Sequence, residues 1–146
     1  MKRRLLFAAL LCSAALAAAP AVALAAESSA QIAPTAQLQA RGAYVVATVQ
    51  ITCPVGNTLG FYYPTTLSIE QATSKSAIAT GYGYAPGGDC TGSPQTFAIP
   101  VMANAPGPQF RVGPAAATLV AWVCDPNATF NCTVLSTGPV TIRIVH

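Results

Sequence analysis

Charge is what this chain has least of. Asp, Glu, Lys and Arg make up 8% of its 146 residues, against about 25% in ordinary soluble domains. There is one histidine, His146, and beyond residue 25 one lysine, Lys75. A serine or cysteine nucleophile needs an oriented base such as His or Lys, and neither residue is placed to act as one. Glycoside hydrolysis needs two facing carboxylates. Beyond residue 25 the acidic supply is Glu27, Glu70, Asp89 and Asp125. Asp89 in Gly-Gly-Asp-Cys and Asp125 in Cys-Asp-Pro have the setting of turn residues that hydrogen-bond the following backbone. No glycine-rich phosphate loop leads into a helix, because the alternating Gly81-Tyr82-Gly83-Tyr84 lies in a strand pattern. The expectation is a protein that is not an enzyme, with no catalytic residues and no cofactor.

Basic clusters are missing as well. The net charge of +3 comes from Lys2, Arg3 and Arg4. Beyond them Arg41, Lys75, Arg111 and Arg143 balance the four acids. An electroneutral chain without clustered Lys and Arg has no electrostatic footprint for nucleic acid or for an anionic membrane surface. Long helices are disfavoured by 12 prolines and 11 glycines, which recur every few residues.

The first 25 residues read differently from the rest. A basic start, an apolar run from Leu5 to about Ala19, and the small-x-small motif Ala23-Leu24-Ala25 are the three parts of a secretory signal peptide. The alternative, a membrane anchor, is disfavoured because the Ala-rich run carries no stop-transfer charges and gives way to Glu27-Ser28-Ser29. A single domain, residues 26–146, is expected to be exported to the extracellular space, or to the periplasm of a host with an outer membrane. It is expected to be monomeric and to have no stable membrane insertion. Cys12 would leave with the leader.

Four cysteines remain, Cys53, Cys90, Cys124 and Cys132. An even number in an exported chain reads as two disulfides, and their long spacings with no nearby histidine do not fit a zinc site. Cys124 and Cys132 flank an Asp-Pro-Asn turn, which favours a hairpin staple and leaves Cys53 with Cys90. A Cys53–Cys124 bridge between two sheets is the rival pairing.

Alternation then supplies the fold class. From Ala43 to Cys53, Val45, Ala47, Val49, Ile51 and Cys53 share one face, and Tyr44, Thr48, Gln50 and Thr52 the other. A period of two with β-branched residues is a half-buried strand. Residues 65–72, 95–101 and 139–145 repeat the pattern, with Leu67, Ile69, Phe97, Ile99, Val101, Val140, Ile142 and Ile144 inward. Residues 77–84 and 115–124 are further strands, and 35–40 a weaker one. About seven short strands between Gly- and Pro-rich turns predict an all-β immunoglobulin-like Greek-key sandwich, with a jelly roll or small barrel as the lesser option. Pro100 has no N–H for a ladder, so its strand is expected at an edge or with a bulge.

The run Thr52-Cys53-Pro54-x-Gly56, a strand ending near Gln71, a cysteine before Gly92 and two late cysteines resemble small exported immunoglobulin-like proteins of actinobacteria and related soil bacteria. The layout is also similar, more distantly, to the enediyne-binding apoproteins of the neocarzinostatin type. The resemblance implies an exported sandwich and assigns no binding residue here.

Aromatic placement is the remaining signal. Phe61, Tyr62 and Tyr63, then Tyr82 and Tyr84, lie in or beside segments rich in Gly and Pro. The ordinary expectation is that these rings close the open end of the sandwich and complete its core. The alternative is a flat amphipathic surface for a protein or for a small apolar or sugar-like ligand. Trp122 is expected in the core against a disulfide. The function this supports is a binding or interaction module that presents residues 54–66 and 82–89. A cell-surface or fimbrial-type structural subunit, a small-molecule carrier, and a protease inhibitor using the Cys124–Cys132 loop are the other readings.

Overall fold

In a computed structural model, residues 27–129 and 131–146 are described. The expected leader lies outside them. The protein is all-β, with strands β1 (Ser29–Gln39), β2 (Tyr44–Thr52), β3 (Thr58–Leu59), β4 (Thr65–Ser74), β5 (Ala77–Ala85), β6 (Gly88–Asp89), β7 (Gln95–Ala103), β8 (Gly113–Cys124) and β9 (Cys132–Val145). One turn of 3-10 helix, Ala40–Gly42, links β1 to β2.

The strands form one sheet rather than two separate ones. In the order β4-β5-β7-β2-β1-β9-β8, with β8 pairing back to β4, seven strands close into a barrel. Closure depends on two strands that change neighbours. β1 runs antiparallel to β2 from both its ends, and at a bulge between Ile32 and Ala36 it also takes up a short parallel pairing with β9. β5 meets β7 at Gly81–Ala103 and Tyr82–Met102. The sequence pattern showed strands and faces but not these changes of partner, because alternation records one strand's two faces and not its neighbours.

The barrel interior holds the residues that alternation placed there. Val45, Ala47, Val49, Ile51, Leu67, Ile69, Ile99, Val101, Ile142 and Ile144 are all buried, while Phe97 and Val140 are partly buried and pack against them. Both terminal strands are longer than alternation indicated. β9 begins at Cys132 because its first half pairs with β8 from Cys124 onward.

Gly81 and Gly83 make the β5–β7 crossing possible. A Cβ on Gly81 would clash with the Met102 carbonyl oxygen, and one on Gly83 with that of Pro100. No side chain fits there, so β5 needs glycine at alternate positions. Pro100 pairs with Val46 of β2, and the β5–β7 ladder stops short of it. β7 is therefore flanked on both sides, with its proline at the weak seam, instead of lying at a free edge. The end of the barrel near Gly42 is filled by Phe110, which is 1% exposed and whose N–H donates to the Gly42 carbonyl at 3.0 Å.

Candidate functional site

Two disulfides organise the opposite end. Cys53 bonds Cys90 and Cys124 bonds Cys132, the local-staple pairing rather than the Cys53–Cys124 rival. The first brings the segments after β2 and after β5 together. Cys90 N–H donates to the Asn57 carbonyl at 2.8 Å, Gly92 N–H to the Cys53 carbonyl at 3.1 Å, and β3 pairs with β6. The two segments expected to present a binding surface are thus neighbours, although 82–85 is strand rather than loop.

The five aromatic residues do not complete the core. Phe61 is 52% exposed, Tyr62 39%, Tyr63 50%, Tyr82 52% and Tyr84 61%. For Tyr82 and Tyr84 the cause is parity: with Gly81 and Gly83 buried under β7, the alternate side chains point outward. Trp122 is corrected in the same way. Ala121 and Val123 are buried, so Trp122 faces outward, where its ring lies 4.6 Å from that of Tyr63. Phe61 and Tyr62 meet edge to face at 4.7 Å.

Register assembles these rings into one surface. Tyr84 pairs with Thr66 and Tyr82 with Ser68 across β5 and β4. Thr66 pairs in turn with Val120, and Ser68 with Thr118, across β4 and β8. On the outside of β5-β4-β8-β9 the tyrosines of β5 are therefore separated from Thr118 and Val120 of β8 by one strand, roughly 10 Å at ordinary strand spacing, while Trp122, two residues beyond Val120 on the same face, lies where Gly60 and β3 replace β4 beside β8. The floor between them is Thr66 and Ser68, whose Oγ donates to the Thr118 carbonyl at 3.4 Å. None of these residues is charged. Ser68 and Val120 had no sequence signal of their own; they were identifiable only once the strand register was known.

A separate concavity of about 270 Å³ lies on the other side of the barrel, at the β1 bulge, lined by Gln31, Ile32, Pro34, Thr48, Gln50 and Thr96 among others. It holds none of the five aromatic residues. Among the described residues, no group of His, Cys, Asp or Glu could hold a metal ion, and no helix is long and apolar enough to cross a membrane. No known protein family matches the chain, and no curated protein or solved structure shows a significant similarity to it.

Proposed function

We propose that the protein is a secreted, non-enzymatic binding module of immunoglobulin-like fold, which takes a small uncharged ring-bearing ligand on the outside of β5-β4-β8-β9. The observation that carries this is that the exposed Tyr82 and Tyr84 and the Tyr63–Trp122 pair lie on one outer face, with the uncharged Thr66, Ser68 and Val120 beside them. Aromatic faces bind apolar and sugar-like rings, and the hydroxyls orient them. Two disulfides in so small a domain fit an oxidising compartment. The immunoglobulin-like part rests on the weak seams: two residue pairs join β5 to β7 and three join β1 to β9. A three-stranded layer β1-β2-β7 then packs on a four-stranded layer β5-β4-β8-β9.

Trp122 is the one tryptophan of the chain and reports on this face. Protein recovered undenatured from culture medium is to be weighed intact and again after unfolding. The expected result is a small molecule released on unfolding, which shifts Trp122 emission when added back to the parent but not to the Tyr82→Ala/Tyr84→Ala variant. A polypeptide mass alone, with Trp122 emission unmoved by neutral oligosaccharides and apolar dyes, would overturn the reading.

A further inference from the structure

β9 supplies the barrel with its last strand, yet among the described residues part of its outer edge has no strand beside it. Along β8 it is paired from Cys132 to Ile144, but on its other side β1 joins it from Arg143 to Val145. Before that, the Thr137 hydroxyl donates to the Ala30 carbonyl at 2.9 Å, one residue from Ser29, where β1 begins. Residues 132–136 have no backbone neighbour on that side among the described strands.

The hydrogen-bond phase shows which groups face the opening. Asp125 N–H donates to the Asn131 carbonyl at 2.9 Å, and Cys124 and Cys132 face each other with Cα atoms 4.0 Å apart, the spacing of a pair that exchanges no ladder bonds. The phase repeats every two residues. Trp122, opposite Val134, accordingly sends its carbonyl away from β9 to accept from Gly60 N–H at 3.0 Å. Cys132, Val134 and Ser136 therefore turn their N–H and C=O groups away from β8, into the opening.

Such an edge is a template for another strand, and proteins ordinarily blunt it with lysine, proline or a bulge. Here Pro34 in β1, Pro100 in β7 and Pro139 in β9 stand where those strands lose a neighbour, while Cys132-Thr133-Val134-Leu135-Ser136 contains no proline and no charge. Val134 is 46% exposed on it.

We infer that β9 pairs antiparallel with β9 of a second copy of this chain, Val134 against Val134 and Cys132 against Ser136. That register uses all three outward-facing residues of each strand and satisfies the two-fold symmetry of a self-complementary contact. Two features select a second copy over other strands. The edge is uncharged, so identical edges meet without repulsion, and the described chain carries four basic and four acidic residues, so the copies do not repel at long range. The pairing covers Val134 with its twin and extends β5-β4-β8-β9 into an eight-stranded sheet. The two aromatic faces then lie on one side of it. On this inference the chain would associate where a monomer was expected, since β9 completes the barrel and still offers an edge.

Sedimentation equilibrium of the purified protein at submillimolar concentration tests this, alongside Val134→Lys and Val134→Glu. The parent is expected to be dimeric, each variant alone monomeric, and an equimolar mixture of the two dimeric again, because opposite charges then face each other at the centre. Amide exchange is expected to be slow at Cys132, Val134 and Ser136 in the parent and fast in Val134→Lys, with Thr133 and Leu135 slow in both. Should position 134 not tolerate a charge, Ser136→Lys makes the same test at the flanking pair. A monomeric parent would overturn the inference, as would a dimer that survives Val134→Lys. Slow exchange at the three amides in a monomer would do so too, by showing that the chain's own N-terminal segment covers the edge.

Discussion

Gln71 and Arg111 exchange two hydrogen bonds: the amide Nε2 of Gln71 donates to the Arg111 carbonyl, and its Oε1 accepts from the Arg111 N–H, both at 2.7 Å. The Gln71 side chain is 3% exposed and mimics a strand for the segment that follows Phe110. It explains how a residue in the middle of β4 holds a loop that has no ladder of its own.

Removing that side chain frees a backbone donor and acceptor at once. Gln71→Ala is expected to cost about 2 kcal/mol, on the order of one to two unpaired polar groups at a partly buried site, measured by urea unfolding. Gln71→Glu keeps the acceptor and loses the donor. Burial raises the folded-state pKa of the introduced acid above its unfolded value, so the variant is weakest above the folded pKa. It should regain stability as pH falls, and that relief should be complete below the unfolded pKa, once the protonated carboxyl can donate to the Arg111 carbonyl. A Gln71→Glu variant with the same pH profile as the parent would contradict this geometry.

Phe110 closes the barrel end beside Gly42 and Gly81. Phe110→Ala should destabilise by about 3–5 kcal/mol, the cost of emptying a fully buried aromatic site. Thermal unfolding of this variant against Phe61→Ala, where the ring is half exposed and the loss should be small, separates a core ring from a surface ring.

Crowding at β5–β7 makes Gly83→Ala costly, about 1–3 kcal/mol, since the new methyl meets the Pro100 carbonyl and the buried Ile99 side chain. Gly88→Ala, with nothing within 4 Å of the added Cβ, should stay within about 0.5 kcal/mol of the parent. Equal effects in chemical denaturation would mean that β7 does not cross β5 there.

The disulfides should differ in weight. Replacing Cys53 and Cys90 opens a loop of sequence separation 37, and replacing Cys124 and Cys132 one of 8. Chain-entropy bookkeeping puts these at about 4 and about 2.5 kcal/mol. Cys53 and Cys90 also line the core, so the long-loop double alanine variant should lose more stability, and it should disturb Tyr84 and the residue 54–64 loop first.

Stacking of Tyr63 on Trp122 gives an optical test. Tyr63→Ala should shift Trp122 emission to longer wavelength and cost about 0.5–1.5 kcal/mol. Unchanged emission would place the two rings apart.

Alternation along the chain was enough to identify an all-β protein, its inward residues and most of its strands, because a strand between core and solvent writes its two faces into every second residue. The prolines, glycines and scarce charges pointed the same way, as did the hairpin position of Cys124 and Cys132. Burial of the aromatic residues was read less well. Tyr82 and Tyr84 share their strand with two glycines, and only the passage of β7 over Gly81 and Gly83 decides that the small residues face inward and the large ones outward.

What sequence alone determined was therefore local: strand periodicity, turns, the absence of charged machinery and the even set of cysteines. Tertiary structure decided which strands are neighbours. From that came the closed barrel in place of two free sheets, the outer face shared by Trp122 and Tyr84, the grip of Gln71 on Arg111, and the place of Val134 on the outer edge of β9. The reason is physical: side-chain alternation depends on a strand's own two faces, whereas pairing depends on backbone groups that every residue carries alike.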